Sequence, residues 1–197
     1  TRDRSQEINV CVNLSAAAGG RGNAQDALKW GTRALAISME LADRAGSAWS
    51  YFYLGYAQLL AGQLDEAARS FLQSIEIRSQ ISTPVLVAEA RAGLLDVYLK
   101  MDDRDAAQIE MKQILEYMDI AKTFEGAEEP FRIYWTVYQA LQEIKDPRAA
   151  TVLQNAVHLL NTQVSKLRSE DARRLYVDNV PWRHAIQNVA REKGLME

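Results

Sequence analysis

The sequence predicts an all-α protein built as an array of stacked helix pairs, and three observations carry that expectation. Helix-turn-helix patterns recur at a spacing of 40 residues: Leu14, Gly22, Ala27 and Leu35 are followed by Leu54, Gly62, Ala67 and Ile75, then by Leu94, Asp102, Ala107 and Leu115. A fixed period of roughly 20–50 residues marks an array in which each unit buries its apolar face against its neighbours. Ala, Leu, Glu, Gln and Arg dominate, all good helix formers, against four prolines and ten glycines in 197 residues. The period-2 alternation of strands is absent over any useful length.

Composition narrows the class. With 48 % hydrophobic residues, a chain of this size buries roughly 70 % of its unfolded surface, enough for one elongated domain without staples. The single cysteine, Cys11, has no internal partner and fits a reducing compartment. It falls on the apolar side of the first helix, where it reads as a buried thiol rather than a nucleophile. No apolar run reaches the roughly 18 residues of a membrane span, and no charged segment followed by an apolar core opens the chain. The expected location is therefore cytoplasmic. The first residue is Thr1 rather than Met, which suggests a piece of something longer. A net charge of -3 and a pI near 5.5 predict no general attraction to nucleic acid. The basic residues Lys166, Arg168, Arg173, Arg174, Arg183, Arg191 and Lys193 are interleaved with Glu170, Asp171, Asp178 and Glu192, as on a solvated helical surface.

Four helix pairs are expected over 1–167, at about 1–45, 46–81, 82–123 and 129–167, with capping helices over 168–197. In the first pair, helices at about 4–18 and 24–45 flank Gly19–Asn23, where glycine tolerates the left-handed conformation that closes a helix and Asn23 can cap the next. The second pair reads as 47–61, with Ser47 as N-cap, and 64–80, with Gly62 at the turn. Thr83-Pro84 opens the third pair with a cap and a proline whose missing N–H costs nothing there; its helices run to about 101 and from 104 to 123. Asp102, Asp103 and Asp105 crowd the turn between them, where a helix N-terminus stabilises acids without any metal. A looser segment, 124–129, precedes Pro130 and the fourth pair at 131–144 and 147–167, which Asp146-Pro147 divides. Its small residue is Ala149 or Ala150, 42 or 43 positions beyond Ala107, so the linker absorbs an insertion. Helices at about 169–178 and 181–193 break the period, as terminal caps do. Their apolar side is Leu175, Val177, Val180, Trp182, Ile186 and Val189, with Trp182 as the expected anchor.

Ala27, Ala67 and Ala107 are small where two helices must approach closely, and Leu14, Leu54, Leu94, Leu35, Ile75 and Leu115 are expected to fill the space beside them. This pattern, clearest in Leu54-Gly55, Gly62, Asp65-Glu66-Ala67, Phe71 and Ile75, resembles the tetratricopeptide repeat over about Ile8 to Leu160. Gly31 stands where repeat two has the usual aromatic, Phe71, and Gln58 replaces the usual tyrosine. The usual repeat is about 34 residues, so 40 lengthens each helix by nearly a turn. Such long repeats resemble the C-terminal arrays of bacterial STAND-class regulators, LuxR-type and maltose-activator-like transcription factors and some adenylate cyclases. The segments Asp146-Pro147-Arg148-Ala149-Ala150 and Arg173 through Pro181 resemble the close of those arrays. The resemblance implies a right-handed α-α superhelix (a tetratricopeptide-like solenoid) serving as the partner- or ligand-sensing module of a larger signalling or transcriptional regulator. The phosphate-cradling Gly-x-x-x-x-Gly-Lys-Ser/Thr stretch is absent, so any ATPase activity would lie outside these residues.

Catalysis needs a convergent set of groups, which the sequence does not supply. His158 and His184 belong to no His-x-x-x-His or Glu-x-x-His pair, no Gly-x-Ser-x-Gly turn occurs, and Cys11 has no neighbouring histidine. No enzyme, cofactor or metal is expected. Binding is the stronger expectation, because stacked pairs offer an extended concave surface. In the resembled family the first helix of each pair lines it, which places Asn9, Val12 and Ala16, then Trp49, Phe52, Tyr56 and Leu60, then Glu89, Ala92, Asp96 and Lys100 inward. Trp49, Tyr51, Phe52, Tyr53 and Tyr56 are more aromatics than one packed face uses, and such side chains suit binding hot spots. Trp49, Phe52, Tyr56, Leu60, Asp96 and Lys100 are the candidate partner-binding residues, for a protein or peptide in the groove. Val12, Ala16 and Trp49 stand where some relatives clamp a peptide carboxylate, so an apolar or aromatic ligand fits better. The alternatives are a stand-alone adaptor or peptide receptor, and an architectural domain that forms homo-oligomers. Direct contact with nucleic acid or membrane is not expected.

Overall fold

The computed structural model describes residues 2–81 and 83–196, leaving out the side chains of Arg2 and Asp3; the reading of Thr1 as an internal position lies outside them. Ten helices and no strand occur among the described residues: α1 (Arg2–Gly20), α2 (Ala24–Glu40), α3 (Arg44–Leu60), α4 (Leu64–Gln80), α5 (Pro84–Lys100), α6 (Arg104–Ala121), α7 (Pro130–Glu143), α8 (Arg148–Ser165), α9 (Glu170–Asp178) and α10 (Pro181–Glu192). Contacts group them into two compact units, Thr1–Ile120 and Ala121–Glu197. Among the described residues no helix is long and apolar enough to cross a membrane.

In the first unit each helix packs on the one before, from α1 on α2 to α4 on α5, and α1, α3 and α5 also meet in sequence. Arg91 of α5 and Glu110 of α6 join that last hairpin through a 2.6 Å ion pair. The 40-residue period resolves into two equal steps. Left-handed residues fall at Gly22, Ala42, Gly62 and Asp102, and each is followed by the residue that precedes the next helix. Asn23, Asp43 and Asp103 accept from the N–H groups of Asp26, Gly46 and Ala106, which satisfies one of the unpaired donors at each helix start. This corrects the first expected boundary: α2 ends at Glu40 rather than 45, and Asp43 rather than Ser47 caps α3. Ala42 holds a conformation unfavourable to a residue with a Cβ, so no glycine betrays that turn in the sequence.

Ala27, Ala67 and Ala107 are buried as expected, as are Leu54, Leu94, Ile75 and Leu115. Leu35 is only half-buried, and Leu14 is 38 % exposed, which corrects its place as core filler. Leu54 lies against Gly31 of α2, and Leu94 shares a core with Ala67, Phe71 and Ile75 of α4; among the described residues no helix takes that place beside Leu14. The Phe71 ring fills the hollow that Gly55 and Gly93 leave on α3 and α5. Gln58, where the resembled repeat carries tyrosine, accepts a 2.7 Å bond from the Ser70 hydroxyl and so ties α3 to α4.

In the second unit α7 and α8 form a hairpin on which α10 packs, while α9 touches α8 and α10. The looser segment before α7 is pinned by Phe124, which is buried with its ring edge-on to Tyr134 at 4.9 Å. Pro147 precedes α8 rather than opening it, and Asp146 accepts from the Arg148 N–H at 2.9 Å. Ala149 is the small buried residue; Ala150 is exposed. Val177, Ile186 and Ala190 are the buried apolar residues of α9 and α10, so Ile186 rather than Trp182 is the innermost anchor, and Leu175 is 52 % exposed. Trp182 is half-buried because its indole N–H reaches Glu129 at 3.3 Å and Arg132 lies over its ring.

Candidate protein-interaction surface

The candidate residues converge on α3 and α5, but not all on one face. An α-helix returns to the same side at i, i+4, i+7 and i+11, and on α3 that spacing gives Trp49, Tyr53, Tyr56 and Leu60. The first three are half-buried and Leu60 is 43 % exposed. Phe52 is corrected from the groove to the core: it is fully buried with Leu59, Ala67 and Phe71, because one residue turns the side chain about 100° round the helix. Tyr53, which the sequence reading passed over, takes its place in the row.

The row is held rigidly. Trp49 and Tyr53 stack with ring centroids 6.2 Å apart, and the Phe52 ring meets both Tyr53 and Tyr56 edge-on, at 5.0 and 4.9 Å. Trp49 and Tyr53 close the core formed by Ile8, Cys11, Val12, Ala34 and Ile37, while Tyr53 and Tyr56 close the core around Phe71. On α5 the equivalent row is Glu89, Gly93, Asp96 and Lys100, of which Glu89 and Gly93 are buried. Asp96 and Lys100 pair at 2.8 Å and supply a polar rim.

Beneath the aromatics lies Arg78 of α4, fully buried, with its guanidinium 4.3 Å from the Phe52 ring centroid and 5.5 Å from that of Trp49. Its Nη1 donates to the Leu86 carbonyl at 2.6 Å and stands 3.4 Å from the buried Glu89 carboxylate. Nε and Nη2 have no hydrogen-bond partner among the described residues. Burial pushes the Arg78 pKa down, and the Glu89 carboxylate is the largest opposing cause, followed by Tyr56 and Tyr53. The sequence held a signal for this residue: Arg78 continues the buried stripe Ala67, Phe71, Ser74 of α4 at the next helical step.

Elsewhere the chemistry is sparse. Burial pushes the Cys11 thiol pKa up, which disfavours the nucleophilic thiolate. His158 is exposed, and His184 stands 3.4 Å from Asp178. Among the described residues no three His, Cys, Asp or Glu side chains gather as a metal site. A cleft of about 390 Å³ lies in the second unit between the 122–130 segment and α8, with Phe124, Tyr134 and Leu159 among its walls and Lys122, His158 and Lys166 among its polar residues.

Residues 7–80 match the family described as Tetratricopeptide repeat. Two solved structures from Podosopora anserina, a putative kinesin light chain of nearly identical TPR-like repeats and a single-substitution variant of it, each superpose with a TM-score of 0.60 at 17 % identity, covering 95 % of this chain and 87 % of the other. That likeness is one of fold: the chain is all-α, of the tetratricopeptide-like helix-pair kind. No curated protein matches it significantly.

Proposed function

We propose that this chain is a non-catalytic interaction module that recognises an apolar or aromatic segment of a partner protein through the Trp49, Tyr53, Tyr56 and Leu60 row, as the sensing part of a larger signalling or transcriptional regulator. Tetratricopeptide repeats mediate protein–protein interaction, and the observation that carries the site is the fixed aromatic row with an exposed leucine and a charged rim. Half-buried aromatics packed ring against ring offer large contact area with little entropy left to lose, the usual makeup of a hot spot. The second half of the reading rests on the likeness of residues 146–150 and 173–181 to the close of regulator arrays.

Panning the full chain against a displayed random-peptide library tests the site. Peptides selected on the parent should bind Leu60→Asp and Tyr53→Ala at least tenfold more weakly, with Leu60→Asp melting like the parent. Peptides indifferent to both substitutions and to Lys100→Glu would move the site elsewhere. Reading the gene upstream of the Thr1 codon tests the context. An in-frame nucleotide-switching, cyclase or DNA-binding segment supports it, and a start codon there returns the chain to an adaptor.

A further inference from the structure

The connection from α6 to α7 departs from the rest of the array. Turns such as 21–23, 41–43 and 61–63 join the earlier helices, whereas 122–129 separates α6 from α7. Connections of that kind usually lie loose on the surface, but this one is fastened. Phe124 is 1 % exposed, its ring lies edge-on to Tyr134, and its backbone hydrogen-bonds the Tyr134 hydroxyl. The fastened segment forms one wall of the cleft of about 390 Å³, a volume within the range of small-molecule sites. Helix α8 forms the other wall. Val152, Leu153, Ala156, Val157 and Leu160 are its buried stripe, and a second stripe, Asn155, Leu159, Thr162, Gln163 and Lys166, lines the cleft at i, i+4, i+7, i+8 and i+11.

The lining divides into an apolar part and a charged part. Phe124, Pro130, Tyr134 and Leu159 make the first. The second is Lys122 and Lys166 against one acid, Glu125, with His158 as a further polar group. That is a net positive lining on a chain whose overall charge is -3. Asn155 and Gln163 are half-buried, and their amides and the Lys166 ammonium make no side-chain hydrogen bond or ion pair among the described residues. A few polar groups set in a largely apolar cleft are the makeup of a site that orients a small ligand. The α7 N-terminus and the α8 C-terminus lie at one end of their hairpin and offset each other, so the side chains set the sign of the field.

We propose that this cleft binds a small organic carboxylate with a flat apolar body, its rings against Phe124, Tyr134 and Leu159 and its carboxylate at Lys166. One negative charge balances the excess lysine of the lining. Leu159 and Lys166 stand two turns apart on α8, roughly 10 Å, which sets the length of the ligand at that of a two-ring acid. A polyanion is disfavoured by the net negative charge of the chain, whereas a small anion responds to charges within about 10 Å, the screening length near 0.1 M salt. The cleft lies in the second unit and the aromatic row of α3 in the first, so neither reading rests on the other.

Naphthylacetate, naphthylacetamide and naphthylethylammonium share their rings and differ in charge, and calorimetric titration of each into the full chain tests the proposal. Naphthylacetate should bind saturably at one site per chain, at least tenfold more tightly than the amide or the ammonium ion. Lys166→Glu, at an exposed position, should melt like the parent and erase that preference; Lys112→Glu, an exposed lysine of the first unit, should keep it. Leu159→Ala should weaken naphthylacetate and the amide alike, since it removes apolar wall and no charge. Amide hydrogen exchange over 122–130 should slow when naphthylacetate is bound. Absence of saturable binding by all three probes, equal or reversed affinities, a preference that survives Lys166→Glu, or protection that falls outside 122–130 and α8 overturns the proposal.

Discussion

Arg78 is the largest fully buried side chain among the described residues, and it carries a charge. Taking a guanidinium out of water costs several kcal/mol, and the Glu89 carboxylate 3.4 Å away offsets that only while both are present. Glu89→Gln should therefore cost about 3–5 kcal/mol, the range for breaking one partner of a buried pair. Arg78→Met combined with Glu89→Leu should recover most of the loss, since two apolar groups leave no charge stranded. Urea unfolding of the single and double variants measures this; a single variant as stable as the parent would mean that another group carries the charge. The same pair locks the underside of the aromatic row, so the double variant also reports whether Trp49 and Phe52 keep their geometry without the cation against their rings.

At the scale of elements, one phenylalanine sets how closely α3, α4 and α5 approach. A Cβ on Gly93 would stand 2.4 Å from the Phe71 ring, and one on Gly55 would stand 3.0 Å from it. Gly93→Ala gains about 1 kcal/mol of helix propensity, yet overpacking costs typically about 1–3 kcal/mol, and with Phe71 fully buried the ring has little room to move. The variant should melt below the parent, and adding Phe71→Leu should restore it; a higher melting point for Gly93→Ala alone would mean the ring shifts freely. The start of α8 rests on a different force. Arg148 holds the Asp146 carboxyl at about 2, through its side chain first and its backbone N–H second. A folded value below the unfolded one of about 3.9 adds stability that is present above about pH 4 and lost as pH falls through about 2. The gap in denaturation midpoint between the parent and Asp146→Asn should accordingly be constant near neutrality and close between about pH 4 and 2. A gap that is unchanged at the acid end of that range would show that the pair does not stabilise the hairpin.

At the scale of the whole molecule, helices stacked on neighbours leave apolar faces wherever the stack stops. In the second unit α10 answers this: Ile186 and Ala190 are buried against the α7–α8 hairpin, and Arg183 lies 5.2 Å from the Phe131 ring. Ending the chain at Arg168 should uncover that side of α7 and α8 and promote aggregation or a new dimer, which light scattering detects. A soluble monomer with the parent's melting temperature would make α9 and α10 an appendage with some other task.

The 40-residue period determined the helix pairs, the buried alanines at 27, 67 and 107 and the irregular tail, because close packing between helices admits only certain sizes at recurring positions and leaves that record in the chain. Local chemistry also announced Gly62, Thr83-Pro84 and the acidic turn before α6. The turn at Ala42 left no such mark, since a left-handed alanine looks like any helical alanine until its neighbours are placed. Which aromatics face outward was likewise a tertiary decision: Phe52 and Tyr53 are adjacent aromatics in sequence, and only the position of Phe71 and Arg78 on α4 sends one into the core and leaves the other in the row. The exposure of Leu14 has the same origin. Its neighbours on α1 match those of Leu54 and Leu94, and what separates them is whether a second helix lies across the row, a contact between elements that no single segment encodes.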